Sequence, residues 1–134
     1  MAKEIRSILL VDDDPDDRLL FEEALSKANG AVALQIAIDG IDALEKLKTG
    51  SNHFPDLIFM DVNMPRMDGI SCLKEIKRLI DLSKIPILMY STSSYYRSEC
   101  ISLGAIDYIE KPTDFQKLCD KIKTIINTDY FLPA

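Results

Sequence analysis

Aspartates are concentrated where two apolar segments of the chain end. Five of them fall between Asp12 and Asp17, directly after the apolar run Ser7–Val11, and Asp61 directly follows the run Leu57–Met60. Two carboxylates about 4 Å apart repel each other by roughly 4 kcal/mol at an effective dielectric of about 20, so a shared site needs a cation or raised pKa values. Oxygen ligands without histidine or cysteine beside them favour a hard cation, and Mg²⁺ is the best match.

Two further side chains would complete a site for a phosphoryl group. Ser91 follows the apolar run Ile87–Tyr90, and Lys111 follows the short apolar pair Tyr108–Ile109 and one glutamate. A divalent cation, an ammonium and a hydroxyl around one carboxylate would bind phosphoryl oxygens. Because phosphoryl transfer is catalysed mostly by positioning and charge neutralisation, these residue types indicate phosphoryl chemistry.

Short apolar segments alternate with segments of helical periodicity, and this alternation must position those side chains. Nearly continuous apolar runs are typical of parallel strands that are covered on both faces. The predicted strands are Ser7–Val11, Val32–Ala37, Leu57–Met60, Ile87–Tyr90 and Tyr108–Ile109. With five helices between and after them, they predict a doubly wound α/β parallel sheet. Ligands of such sheets bind beyond the carboxyl ends of the strands, where the aspartates, the serine and the lysine lie.

Four of the five predicted helices carry a clear apolar stripe. The stripes are Leu20, Ala24 and Ala28; Ile41, Leu44 and Leu47; Ile70, Leu73, Ile76 and Ile80; and Phe115, Leu118, Ile122 and Ile125. The remaining helix, in Ser94–Leu103, has no tidy stripe, which predicts an exposed face. Asp14 before Pro15 is typical of a helix start, and we interpret Asp16 and Asp17 as solvated residues that favour the helix dipole. Asp39-Gly40 is interpreted as a turn.

The composition excludes several classes of protein. The length of 134 residues predicts one globular domain. The net charge of −6 predicts that this domain binds neither nucleic acid nor anionic membranes directly. No run approaches the roughly 18 apolar residues of a membrane span. The three cysteines, Cys72, Cys100 and Cys119, contain no C-x-x-C pair and are interpreted as helix packing residues in a reducing compartment. We therefore expect a cytoplasmic location.

Several motifs together resemble the receiver domain of two-component response regulators. They are Leu9–Asp13, Asp61–Gly69, Pro86–Ser91, Gly104-Ala105 and Tyr108–Pro112. In this order and spacing the motifs are specific, and they extend over nearly the whole chain. The resemblance implies a five-stranded parallel sheet with five helices and the flavodoxin-like strand order 2-1-3-4-5.

The resemblance also implies which residues bind the metal and the phosphoryl group. Asp61 matches the carboxylate that accepts a phosphoryl group from a phosphohistidine and also contacts Mg²⁺. Asp13 matches the direct acidic ligand of Mg²⁺, and Asp12 supports it directly or through water. Asn63 matches the position whose backbone carbonyl binds the metal.

Three more residues match positions that respond to the phosphoryl group in this family. Ser91 matches the hydroxyl that bonds one phosphoryl oxygen, and Lys111 matches the lysine that pairs with another. The peptide bond between Lys111 and Pro112 is expected to be cis, as in the family. Tyr108 matches the aromatic residue that turns inward behind the displaced hydroxyl, so Ser91 and Tyr108 form the expected switch.

The expected protein is a signalling switch of the single-domain, receiver-only type and not an enzyme with its own substrate. Its donor would be a histidine kinase or a histidine phosphotransfer protein. Phosphorylation would change a surface formed by the fourth helix, the fifth strand and the fifth helix, to which a downstream protein binds. We place Tyr95, Tyr96, Arg97, Ile106 and Tyr108 on that surface. The receiver domain is expected at residues 1–127, and the apolar tail 128–134 either folds back or contacts a partner or a second copy in a homodimer.

Three alternatives follow from the same residues. A Mg²⁺-dependent phosphohydrolase of the haloacid-dehalogenase kind also forms an aspartyl phosphate at a strand end, but Pro15 lies where that family needs a flexible turn. A flavin-binding module is disfavoured because the first strand-helix junction is acidic. A receiver domain that only docks, without the chemistry, is disfavoured by the complete set of predicted site residues.

Overall fold

The computed structural model describes residues 4–49 and 53–128. Within these residues, five strands alternate with five helices. The strands are β1 (Ser7–Val11), β2 (Ala33–Ala37), β3 (Leu57–Met60), β4 (Ile87–Ser91) and β5 (Asp107–Glu110). The helices are α1 (Pro15–Asn29), α2 (Gly40–Thr49), α3 (Gly69–Arg78), α4 (Arg97–Ser102) and α5 (Phe115–Ile126). The strands form one parallel sheet in the order β2-β1-β3-β4-β5, which confirms the predicted fold.

The register of the sheet aligns the strand ends at one edge. Val11 at the end of β1 pairs with Met60 at the end of β3 and with Ala37 at the end of β2. Ser91 at the end of β4 pairs with Glu110 of β5. Because the strands are parallel and end in step, the residues that follow β1 and β3 leave the sheet side by side.

Two apolar cores cover the two faces of the sheet. On one face, alternate residues of the central strands pack against α2, α3 and α4. On the other face, the remaining residues pack against α1 and α5. The predicted packing role of the three cysteines is confirmed, since Cys72, Cys100 and Cys119 are all buried and free. Among the described helices, none is long and apolar enough to cross a membrane.

Two of the predicted helix stripes were wrong in part. Leu20 of α1 is 44 % exposed, and the buried residues are Phe21, Ala24 and Leu25. Leu20 and Phe21 are adjacent apolar residues of α1, and the larger of the two, Phe21, occupies the core. Ile80 is 87 % exposed because α3 ends at Arg78, so the helical period does not continue to it.

The helix termini follow the local sequence. The Asp14 side chain accepts hydrogen bonds from the backbone N–H groups of Asp16 and Asp17, which confirms the predicted start of α1. α4 is six residues long and buries only Cys100, as its irregular pattern predicted. α5 ends at Ile126, and all but the first residue of the predicted tail 128–134 lies outside the described residues.

Candidate functional site

Asp61 lies immediately after β3 and is 7 % exposed. Its backbone N–H donates to the carbonyl of Val11 at 2.9 Å, so the end of β1 fixes its position. The N–H of Val62 donates to Asp61 Oδ1 at 2.8 Å, and Lys111 Nζ lies 3.3 Å from Oδ2. Burial raises the pKa of Asp61 to about 6, although the positive charge of Lys111 acts to lower it. The backbone thus fixes one carboxylate oxygen, and the other contacts the lysine.

Asp12 and Asp13 follow β1 at the same edge. Asp12 is fully buried, and its Oδ1 accepts a hydrogen bond from the N–H of Asp14 at 3.0 Å. Burial raises the pKa of Asp12, although its hydrogen bond with Lys111 opposes that effect. Asp13 is exposed, yet one carboxylate oxygen from each of Asp12, Asp13 and Asp61 lies within 4.8 Å of the others.

Lys111 forms ion pairs with the acids at this edge. Its Nζ contacts Asp12 Oδ2 at 2.8 Å and Asp17 Oδ2 at 2.9 Å, in addition to Asp61. The Tyr90 ring lies beneath the ammonium, with its centroid 5.2 Å from Nζ. Burial alone would lower the pKa of Lys111, but the hydrogen bonds to Asp12 and Asp17 outweigh it and raise the pKa. The lysine therefore keeps its charge at neutral pH.

The donor set fits a divalent cation. Three carboxylates, those of Asp12, Asp17 and Asp61, contact a single ammonium. Asp13 adds a fourth carboxylate beside Asp12 and Asp61, and both buried acids, Asp12 and Asp61, have raised pKa values. Oxygen-only donors of this charge match the requirements of Mg²⁺, which binds through a few carboxylates and keeps water ligands. Asn63 lies exposed in the loop two residues after Asp61.

A glycine and an ion pair hold the loop that follows Asp61. The N–H of Gly69 donates to the Val62 carbonyl at 2.8 Å, and a Cβ on Gly69 would lie 1.9 Å from the Asp61 carbonyl oxygen. Arg66 has a φ of 61°, in the left-handed region that is unfavourable for residues that carry a Cβ. Its guanidinium donates to both carboxylate oxygens of Asp39, at 2.6 and 3.0 Å.

The prediction of a simple turn at Asp39 was therefore incomplete. Asp39 is 3 % exposed, and its side chain also accepts a hydrogen bond from the N–H of Asp42 at 2.8 Å, at the start of α2. The hydrogen bonds from Arg66 hold the pKa of Asp39 below its ordinary value. The residue starts a helix and connects the loop after β2 to the loop after β3.

Ser91 and Tyr108 are connected through Ser93. Ser91 is fully buried, and its Oγ accepts a hydrogen bond from the Ser93 N–H at 3.4 Å. Its carbonyl accepts from the Lys111 N–H at 2.7 Å. The Tyr108 hydroxyl donates to the Ser93 carbonyl, and the Arg97 guanidinium lies 5.4 Å from the centre of the Tyr108 ring.

Two expectations about this region were wrong. Tyr108 is 1 % exposed and so does not contribute its side chain to the predicted surface, whereas Tyr95 is 82 % exposed. The bond between Lys111 and Pro112 is not cis, and the described residues contain no cis peptide bond. The trans form agrees with the intrinsic preference of about 0.5–1 kcal/mol for X–Pro bonds.

The interpretation of Asp17 as a solvated helix residue missed its contact with Lys111. Asp16 and Asp17 are adjacent acids in the first turn of α1, and only Asp17 contacts the lysine. The usable signal was its place in the first turn of α1, at the edge where Asp12 and Lys111 also lie. Sequence analysis also missed Tyr90 as the ring beneath Lys111 and Arg66 as the partner of Asp39.

Comparison with known proteins places the chain among signalling proteins. The family model for the response regulator receiver domain matches residues 8–123 of this chain. The chemotaxis protein CheY of Bacillus subtilis is 36 % identical over 120 residues, which are 90 % of this chain and 97 % of CheY. A protein-glutamate methylesterase/protein-glutamine glutaminase of Clostridium acetobutylicum is 37 % identical over 92 % of this chain, but the match covers only 36 % of that protein.

Solved structures agree with this assignment. The phosphorylated cyanobacterial phytochrome response regulator RcpA has a TM-score of 0.82 at 31 % identity, over 90 % of this chain and 91 % of RcpA. The Mn²⁺-bound form of response regulator Rcp1 has a TM-score of 0.82 at 30 % identity, over 96 % and 99 % of the two chains. The sheet order and the match over residues 8–123 lead to one conclusion: the chain belongs to the response regulator receiver domain family, the phosphorylation-switched module of two-component signalling.

Proposed function

We propose that Asp61 accepts a phosphoryl group from a histidine kinase or a histidine phosphotransfer protein. The observation that carries the proposal is the contact of Lys111 Nζ with Asp61 Oδ2, beside two more carboxylates at the same edge. In the reaction, a carboxylate oxygen of Asp61 attacks the phosphorus of a phosphohistidine. The P–N bond breaks, the imidazole leaves with the electron pair, and an acyl phosphate forms.

The residues around Asp61 favour this reaction. With a pKa of about 6, Asp61 is ionised at neutral pH and can act as the nucleophile. The Val62 N–H holds Oδ1, which orients the carboxylate and leaves Oδ2 on the lysine side. Lys111 neutralises charge on the phosphoryl oxygens, and the Ser91 hydroxyl donates a hydrogen bond to one of them.

Asp12, Asp13, Asp61 and the backbone carbonyl of Asn63 are proposed to hold Mg²⁺. When bound, the metal supplies positive charge that offsets the carboxylates and the incoming phosphoryl oxygens. The excess of four carboxylates over one ammonium supports this proposal. The solved neighbour Rcp1 is described as Mn²⁺-bound, so a protein of the same fold binds a divalent cation, which supports this proposal.

The signal is proposed to travel through Ser93. If Ser91 turns toward the phosphoryl group, the loop that carries Ser93 loses one hydrogen bond and moves. Because the Tyr108 hydroxyl is bonded to the Ser93 carbonyl, that movement reaches β5 and the neighbouring α4. The proposed output surface is formed by α4, β5 and α5, and includes Tyr95, Tyr96, Arg97 and Ile106.

The proposed partners are a phosphoryl donor on one side and a downstream protein on the other. CheY of Bacillus subtilis is described as a chemotaxis protein, and the methylesterases match over about a third of their length. We propose that this chain, like a signalling receiver, has no enzymatic activity beyond its own phosphorylation and dephosphorylation, and that it works in the cytoplasm.

The test is labelling with radioactive acetyl phosphate in the presence of Mg²⁺. The wild type should acquire acid-labile phosphate in a stoichiometric amount, and Asp61→Asn should acquire none. Asp81→Asn serves as the matched control, because it removes an exposed carboxylate that is not among the site residues, and it should label normally. Many turnovers of released phosphate that disappear in Asp12→Asn would instead support the phosphohydrolase alternative.

A further inference from the structure

All three hydrogens of the Lys111 ammonium have a carboxylate partner. An ammonium has three N–H donors and no acceptor. The distances from Nζ are 2.8 Å to Asp12, 2.9 Å to Asp17 and 3.3 Å to Asp61. The lysine is therefore closer to the two acids that follow β1 than to the proposed phosphoryl acceptor.

Asp17 differs from the other two acids in its position. The side chain of Asp12 is fully buried and that of Asp61 is 10 % exposed, whereas that of Asp17 is 32 % exposed. Asp17 reaches the lysine from the first turn of α1, where Asp14 caps the helix and fixes the backbone of Asp17. It thus contacts the lysine from a helix, outside the two strand ends that hold Asp12 and Asp61.

We propose that Asp17 is a positioning residue that holds Lys111 toward α1 and competes with the phosphoryl group for its charge. This inference rests on the proposed function of Asp61. When Lys111 moves to a phosphoryl oxygen, its contact with Asp17 must lengthen, and part of the favourable interaction with the phosphoryl group offsets that loss. Removing the Asp17 charge should therefore favour the phosphorylated form.

The variant Asp17→Asn tests the proposal with beryllofluoride, a phosphoryl analogue, in the presence of Mg²⁺. An ion pair with one partly exposed partner is worth about 1 kcal/mol or less, so the dissociation constant should fall by about two- to fivefold. Asp16→Asn is the matched control, because it removes the same charge from the adjacent position of α1. Asp17→Glu keeps the charge and should return the dissociation constant to near the wild-type value.

Two outcomes would overturn the proposal. Beryllofluoride affinity in Asp17→Asn that equals or falls below that of Asp16→Asn would show that the contact with Lys111 does not compete. A loss of affinity for Mg²⁺ alone that is much larger in Asp17→Asn than in Asp16→Asn would place Asp17 with the metal and not with the lysine.

A second measurement separates this inference from the proposed function. The ¹⁵N NMR signal of the Lys111 ammonium should shift in Asp17→Asn and remain near the wild-type position in Asp16→Asn, without any phosphoryl analogue. An unchanged signal would refute the contact itself. A signal that shifts in Asp17→Asn, together with a wild-type protein that binds no beryllofluoride, would instead refute the role of Asp61 while leaving the contact intact.

Discussion

Replacing Asp61 with asparagine should stabilise the metal-free protein, although it removes the proposed acceptor. Burial raises the pKa of Asp61 from its ordinary value of 3.8 to about 6. The folded state therefore binds a proton that the unfolded state has already released between about pH 4 and pH 6. A group of this kind contributes stability below pH 4, and that contribution is lost as the pH rises through 6.

The magnitude follows from the size of the shift. About two pKa units correspond to roughly 3 kcal/mol at pH 7.5, where the wild type bears the full cost of the buried charge. Partial hydration and movement of Lys111 reduce this, so we expect Asp61→Asn to gain about 1–3 kcal/mol. For a domain of this size the gain corresponds to a rise in Tm of about 4–10 °C.

The assay is urea and thermal unfolding in EDTA at several pH values. At pH 4.5 the wild-type carboxyl is mostly protonated in the folded state, and the gain should shrink to about one third of its value at pH 7.5. Saturating Mg²⁺ should stabilise the wild type and leave Asp61→Asn nearly unchanged. Asp81→Asn, an exposed carboxylate, is the control. A variant less stable than wild type at pH 7.5, or a gain independent of pH, would refute the reasoning.

Three further predictions concern the loops around the site. Arg66→Gly should lower the Tm less than Arg66→Ala, because both lose the ion pair but glycine relieves the left-handed backbone; equal losses would argue against strain at this position. Gly69→Ala should cost at least about 2 kcal/mol in urea unfolding and reduce acetyl phosphate labelling, because its Cβ would collide with the Asp61 carbonyl; wild-type labelling would contradict this. Tyr108→Phe should cost about 1 kcal/mol and speed hydrogen exchange near Ser93, whereas unchanged exchange there would show that the hydroxyl does not hold the loop.

The sequence was sufficient to predict the convergence of the site, and the reason lies in the sheet. Runs such as Leu57–Met60 are too short and too apolar for surface helices, so the alternation indicated parallel strands. Parallel strands place their carboxyl ends at one edge, and the register of Val11 with Met60 brings Asp12 beside Asp61. This step needed only the position of each acid relative to a strand end.

The same reasoning could not predict which side chains contact each other across that edge of the sheet. The choice between Leu20 and Phe21 as the buried residue depends on the rotation of α1, and two adjacent apolar residues leave that rotation open. The same rotation decides that Asp17 and not Asp16 meets Lys111. The pairing of Arg66 with Asp39 joins two loops 27 residues apart, and no periodic pattern records such a contact.

The charge excess that should destabilise the metal-free fold should also make the site responsive. One ammonium faces three carboxylates, so any added positive charge or any change at Asp61 must redistribute the contacts of Lys111. Those contacts reach α1 through Asp17 and β1 through Asp12, while the backbone of Lys111 is bonded to Ser91 at the end of β4. A change at Asp61 thereby reaches α1 on one face of the sheet and the ends of β1 and β4 within it. If the core alone set the stability of this domain, neutralising Asp61 would change neither its stability in EDTA nor its response to Mg²⁺, and the unfolding experiments in EDTA and in Mg²⁺ distinguish the two cases.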